Sequence, residues 1–225
     1  MWVAEIFHSL QGEGKHLGVP SAFLRTSGCN LRCVFCDTPY TSFRPEGTEI
    51  SLNEVVARLL DLQLEHVVIT GGEPLLLPEV VELSQVLSAA GKIITFETAG
   101  TVFRSVTAQL ISLSPKLSNS VPRGTDWEAR HQQRRHRPEI IRRWLAEYDC
   151  QFKFVVDQPD DLAEVRSYLA EFPEIQQQQV FLMPQGTDPQ ELASKLDWLT
   201  PLASTAGWQV TPRLHIQLYG ARRGT

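Results

Sequence analysis

Short apolar or alternating runs along this 225-residue chain are separated by longer stretches with helical spacing. Val3–His8 reads as a strand, and Ser21–Thr26 as the first core strand. A helix starts at Ser51, where Ser51 and Glu54 form an S-x-x-E capping box. Leu52, Val55, Val56, Leu59 and Leu60 then recur at the spacing of one buried helix face. His66–Ile69 is a continuous apolar strand suited to a parallel sheet buried on both faces. Pro78–Ala90 reads as a helix with Val80, Leu83, Leu87 and Ala90 on one face, ended by Gly91. Lys92–Glu97, Gln109–Leu113, Cys150–Val156 and Val180–Met183 follow as strands. Pro159–Phe172 is an amphipathic helix, Asp188 caps another over Pro189–Ala203, and Trp208–Pro212 reads as a late strand. Tyr40–Thr48 and Ser118–Trp127 read as loops.

Strand and helix alternate from Ser21 to Ala203, which argues for an α/β fold with a parallel sheet and crossover helices. A full eight-unit barrel takes about 250 residues. Six such strands in 225 residues predict an incomplete parallel (βα) barrel, one domain over 1–225.

Composition changes little. At 42% hydrophobic and 21% charged the chain can bury one sizeable core. The formal net charge of −5 gives no global pull toward nucleic acid or an anionic membrane. No apolar run approaches the roughly 20 residues of a membrane span. The start, Met1-Trp2-Val3-Ala4-Glu5, lacks the features of a signal peptide. A cytoplasmic location with reduced thiols is expected.

The cysteines change the picture most. Cys29, Cys33 and Cys36 stand in a C-x3-C-x2-C spacing that can wrap three thiolates around one metal centre. A four-iron cluster normally takes four cysteines; three would leave one iron open. A structural zinc site wants four ligands, and the second pair is missing. A disulfide framework is unlike a chain this long with so few cysteines. Cys150, far away in a strand-like run, reads as a buried structural thiol.

Other motifs sit at strand ends. Ser9-Leu10-Gln11-Gly12-Glu13-Gly14 puts an acid between glycines, in a tight loop or plain turn. Arg25 lies near the end of the strand that feeds the cysteine loop, where α/β barrels place chemistry and where a guanidinium can clamp a carboxylate. Thr70-Gly71-Gly72-Glu73-Pro74 follows a strand directly, and Glu73 can accept from an ammonium group. Glu97-Thr98-Ala99-Gly100-Thr101, Ser114-Pro115-Lys116 and Met183-Pro184-Gln185-Gly186 end three more. Arg130, Arg134, Arg135, Arg137, Arg142 and Arg143, with His131 and His136, form a basic cluster that reads as a solvated helix face or dimer surface.

The cysteine spacing with its flanks resembles the radical S-adenosylmethionine (SAM) superfamily. The ordered set QGEG, cysteine loop, TGGEP, ETAGT, SPK and a closing Leu214-His215…Leu218-Tyr219-Gly220 is similar to its 7-carboxy-7-deazaguanine synthase branch over nearly the whole chain. Tyr219 stands where that family usually has tryptophan. The resemblance implies an open barrel with a [4Fe–4S] cluster on Cys29, Cys33 and Cys36. It places SAM against Phe35, Cys36, Asp37, Gly72, Glu73, Ser114, Pro115, Lys116, Met183, Pro184 and Gln185. Leu10, Gln11, Gly12, Arg25 and Thr70 go to the substrate, and Thr38 to a magnesium ion. It also implies a carbon–nitrogen lyase acting on 6-carboxy-5,6,7,8-tetrahydropterin. The chemistry would be a 5′-deoxyadenosyl radical, ring contraction, loss of ammonia and regeneration of SAM, on the route to queuosine. A flavodoxin-like electron donor, a homodimer, no direct nucleic-acid partner and a C-terminal tail folded back over the pocket complete the expectation. The roles of Glu97 and His215 stay open.

Overall fold

The computed structural model describes all 225 residues. In chain order the elements are β1 (Trp2–Leu10), β2 (Pro20–Thr26), β3 (Thr48–Glu49), α1 (Leu52–Asp61), β4 (His66–Gly71), α2 (Val80–Ala89), β5 (Ile93–Thr98) and β6 (Leu110–Leu113). There follow α3 (Glu128–Arg134), α4 (Pro138–Glu147), β7 (Cys150–Val156), α5 (Asp161–Glu171), β8 (Val180–Pro184), α6 (Pro189–Ala206), β9 (Gln209–Val210) and α7 (Leu214–Tyr219). All nine strands form one sheet in the order β3-β1-β2-β4-β5-β6-β7-β8-β9. From β2 to β9 every neighbouring pair is parallel. β1 and β3 add antiparallel pairs at one edge. With β3 at one end and β9 at the other, the barrel is unclosed, as the alternation predicts.

Parallel strands need crossovers, and the helices bury their apolar stripes against the sheet. Trp144 from α4, Leu83 and Leu87 from α2, and Val55 and Leu59 from α1 are fully buried in one core with Phe96, Phe152 and Phe154. The capping signals work as read. Ser51 Oγ accepts from the Glu54 N–H at 3.3 Å. Asp188 accepts from the N–H groups of Gln190 and Glu191. No helix is long and apolar enough to cross a membrane.

Several boundaries differ from the sequence reading, and the short strand β3 falls at the end of the run read as the loop Tyr40–Thr48. β1 runs on to Leu10 because Ser9 and Leu10 pair with Ser21 and Pro20 of β2. α6 continues past Ala203 to Ala206, ended by Gly207 at φ 73°. The late strand shrinks to Gln209–Val210, with the Thr211 N–H still donating to Leu182 O at 2.9 Å. The basic segment is ordered as α3 and α4.

Candidate active site

The parallel strands all end on the same side, and a cavity of about 310 Å³ opens there. Leu10, Gln11, Gly12, Arg25, Cys29, Cys33, Phe35, Cys36, Asp37, Thr38, Thr70, Gly72, Ser114, Lys116, Met183 and Gln185 all line it. Three of the residues singled out in the sequence do not. Pro115 and Pro184 are buried in the framework beside it. Glu73 is 1% exposed, and its carboxylate is taken up by Thr98 Oγ1 at 2.8 and 2.9 Å and by the N–H groups of Ala99 and Leu75 at 3.0 and 3.2 Å. Burial pushes this carboxyl up to about 7 against those donors. Glu73 thus ties the turn after β4 to the end of β5.

The cysteine loop is braced from every side. Glu73 N–H donates to Gly28 O at 2.9 Å, and Gly72 N–H to Thr26 O at 3.2 Å. A Cβ on Gly72 would lie 2.3 Å from Gly28 O and 2.8 Å from Cys29 Cβ, so the double glycine lets two backbones touch here. Asn30 exchanges hydrogen bonds with Thr101 at 3.0 and 3.2 Å. Arg32 Nη1 donates to the carbonyls of Cys29 and Leu31. The Arg32 N–H donates to His131 Nδ1 at 3.1 Å. His131 Nε2 stands 3.0 Å from Ser120 Oγ, whose own proton goes to Leu117 O. His131 is therefore the neutral Nε2–H tautomer, and burial holds its pKa down at about 4.

Burial pushes the Cys29 thiol up to about 12 and the Cys33 thiol to about 11, so a metal centre held there would have to displace those protons. No three His, Cys, Asp or Glu side chains stand close enough to share a single metal ion. A four-iron cluster spreads its thiolates more widely than one ion does. Three thiols on one braced loop facing a cavity fit such a cluster with one iron left for another ligand.

The opposite wall is charged. Lys153, 2% exposed, reaches Glu13 Oε2 at 2.8 Å and Glu97 Oε2 at 2.7 Å. Burial works against this ammonium, but the two carboxylates outweigh it and raise its pKa above the usual lysine range. Burial also works against Glu13, yet Lys153 and Arg213 hold its carboxyl well below the usual range. For Glu97 burial wins and the pKa rises, with Lys153 opposing. Gln11 Nε2 donates to Glu97 Oε1 at 3.2 Å. Arg213 bridges Glu13 and Asp37 and donates to Gly186 O at 2.6 Å. Arg25 Nε donates to Glu5 Oε1 at 2.6 Å, and Tyr40 Oη donates to the same oxygen. A Cβ on Gly12 would lie 1.9 Å from His215 Nδ1, so the QGEG glycine makes room for the histidine of α7. Arg222, Arg223 and Thr225 of the tail also line the cavity.

Glu13, Lys153, Arg213, Glu5, Tyr40 and His131 were not among the site residues expected from the sequence. One signal was available for Lys153. A charge inside Cys150–Val156, every residue of which is buried, has to be paired. The other partners depend on contacts up to 197 residues apart, such as Gly14 N–H to Thr211 Oγ1, which no local pattern announces.

Comparison with known proteins shows what the chain is similar to. Residues 23–121 match the Radical SAM superfamily. The chain is 42% identical over 230 residues to the 7-carboxy-7-deazaguanine synthase of Halobacterium salinarum, covering 96% of this chain and 90% of that protein. It is 42% identical over 227 residues to the 7-carboxy-7-deazaguanine synthase of Rhodopirellula baltica, covering 99% and 88%. Among solved structures, QueE from Escherichia coli superposes with a TM-score of 0.66 at 24% identity, covering 95% of this chain and 94% of that one. Streptococcus suis SuiB bound to precursor peptide SuiA gives 0.60 at 12%, covering 87% and 49%. These two structures share the fold. On the strength of the two full-length relatives, the chain belongs to the 7-carboxy-7-deazaguanine synthase family of the radical SAM superfamily.

Proposed function

We propose that this protein converts 6-carboxy-5,6,7,8-tetrahydropterin into 7-carboxy-7-deazaguanine with release of ammonia, as a step toward queuosine and other deazapurines. The observation that carries this reading is convergence. QGEG, the cysteine loop, TGGEP, ETAGT and SPK, spread from residue 11 to residue 116, all bring residues to one cavity with the tail from Arg213 onward.

The cluster and SAM, when bound, supply a carbon radical that removes hydrogen from C6 of the pterin. Cys29, Cys33 and Cys36 hold the cluster. Gly72, Ser114, Lys116, Met183 and Gln185 form the SAM side, with Phe35, Cys36 and Asp37. Glu73, Pro115 and Pro184 support that side through the turns they fix. Leu10, Gln11, Gly12, Arg25 and Thr70 hold the pterin. Glu5 engages only the Nε of Arg25, which leaves Nη1 and Nη2 for the substrate carboxylate. Thr38, which lines the cavity, would be the protein ligand of a magnesium ion, a cation that needs few protein contacts. The tail closes the pocket, and the protein acts as a cytoplasmic homodimer reduced by a flavodoxin-like donor.

The test is anaerobic turnover. Reconstituted protein, reduced and given SAM, magnesium and carboxytetrahydropterin, is expected to form the deazaguanine carboxylate by mass spectrometry, and Cys33→Ala to form none. Release of 5′-deoxyadenosine without that product would retain the radical chemistry and reject the substrate. Neither, with an intact cluster confirmed by spectroscopy, would reject the enzyme reading.

A further inference from the structure

Arg25 is held on one edge and one face. Glu5 lies opposite it in the β1–β2 register, and Glu5 Oε1 accepts from Arg25 Nε at 2.6 Å. The guanidinium carbon stands 5.5 Å from the centre of the Phe7 ring, which itself stacks on Phe23 at 4.9 Å. Tyr40 Oη reaches the same Glu5 oxygen at 2.6 Å. Burial, with Arg25 opposing it, raises this phenol to about 12, so Tyr40 keeps its proton and donates. Two donors thus converge on one oxygen of Glu5, and the carboxylate that orients Arg25 is itself oriented by Tyr40.

Tyr40 is in turn covered by the C-terminal tail. Arg223 Cζ stands 3.7 Å from the centre of the Tyr40 ring, and Arg223 Nη1 donates to Glu46 Oε2 at 3.0 Å. The Glu46 N–H donates to Tyr40 O at 2.7 Å, so both partners of Arg223 belong to one closed turn. Phe7, Arg25, Tyr40 and Arg223 all line the cavity. Contacts therefore run without a gap from the tail through Tyr40 and Glu5 to Arg25. Glu5 also carries a charge that repels any anion bound by Arg25. The Tyr40 proton on its oxygen and the Arg223 cation over the ring offset part of that repulsion.

We propose that Tyr40 and Arg223 are positioning residues that aim Nη1 and Nη2 of Arg25 at the substrate carboxylate, which makes the tail part of carboxylate selection. The proposal rests on the reading of Arg25 as the carboxylate clamp. Tyr40 acts through Glu5, and Arg223 acts through Tyr40. The ion pair of Arg223 with Glu46 is on the surface, so the effect of Arg223 is the smaller of the two.

Two probes separate this role from a merely structural one. Reconstituted protein holding SAM and magnesium, without reductant, is titrated anaerobically by calorimetry. The probes are 6-carboxy-5,6,7,8-tetrahydropterin and 5,6,7,8-tetrahydropterin, which lacks the carboxylate. Wild type is expected to prefer the carboxylated probe. Tyr40→Phe keeps the ring and removes the donor, and is expected to lower the ratio of the two Kd values about fivefold, within the worth of one hydrogen bond to a charged group. Arg223→Ala is expected to lower it about twofold to threefold. Arg223→Lys keeps the charge without the planar stack and falls between Arg223→Ala and wild type. The Kd of the probe without a carboxylate stays unchanged in all three variants. An unchanged ratio in both Tyr40→Phe and Arg223→Ala would overturn the proposal, and so would equal weakening of both probes. Wild type binding the two probes equally would reject Arg25 as the carboxylate clamp and the proposal with it. That result is distinct from a wild type that discriminates and variants that discriminate just as well, which rejects the proposal alone.

Discussion

The two walls of the cavity are built by different means. The cysteine wall is made from contiguous motifs at the ends of β2, β4, β5 and β6, locked together mostly by backbone contacts and neutral hydrogen bonds. Gly72 against Gly28 and Asn30 against Thr101 are typical. The opposite wall is made from single residues far apart in the chain. Glu13, Glu97, Lys153 and Arg213 come from four separate segments and meet through buried ion pairs. A wall of contiguous motifs fixes loop geometry, as a cluster needs. A wall of paired charges can hold polar substrate edges, but each member depends on the others remaining charged.

Breaking the first wall has the largest expected effect. Cys33→Ala removes one of the three thiols proposed to hold the cluster, and product is expected to fall below detection with a matching loss of bound iron and sulfide. Breaking the second wall acts on stability first. Lys153→Met leaves Glu97 without its cation and Glu13 with Arg213 alone. Removing one partner of a buried ion pair costs about 3–5 kcal/mol, read as a lowered midpoint in urea. Gly12→Ala tests the seam with α7. The new methyl displaces His215, and KM for the pterin is expected to rise about tenfold with the cluster spectrum unchanged.

A smaller effect reports on the cysteine wall by pH. Burial depresses the pKa of His131 to about 4, from an unfolded value near 6.5. The unfolded chain therefore binds this proton first as pH falls. The stability from neutral His131 is fully present above about 6.5 and is lost between there and about 4. The stability gap between wild type and His131→Gln is expected to close across that window, by urea titration at several pH values. Glu73, displaced upward to about 7, has the opposite sign and cancels in this difference. Smallest, Ser51→Ala removes a helix cap away from both walls and is expected to cost about 1 kcal/mol with kcat unchanged.

The contrast also explains how much was legible in the sequence. Most strands, the helix faces and the caps follow from local periodicity, and so does the cysteine wall, because its residues are neighbours in the chain. Glu13 was visible only as an acid between glycines, and Arg213 as nothing more than a residue near the tail. Their pairing is tertiary, set by the curl that brings β7 and α7 to the QGEG loop. The basic segment misled for a related reason. A charge run reads as solvated, yet His131 is fully buried and Arg135 reaches the Lys116 carbonyl at 2.8 Å. Its inward side holds the cysteine loop, and only part of it faces water.

The proposed function implies that the cysteine loop serves the cofactor and that Glu97, on the charged wall, serves the substrate. It is tested most directly by Glu97→Gln, assayed anaerobically for both 5′-deoxyadenosine and the deazaguanine carboxylate. The isosteric change leaves every contact of the cysteine loop in place. The expected result is product formation reduced about 10- to 100-fold, the loss of one charged hydrogen bond, while reductive release of 5′-deoxyadenosine continues and the cluster spectrum is unaltered. Loss of both together, with the cluster intact, would contradict the division between the two walls.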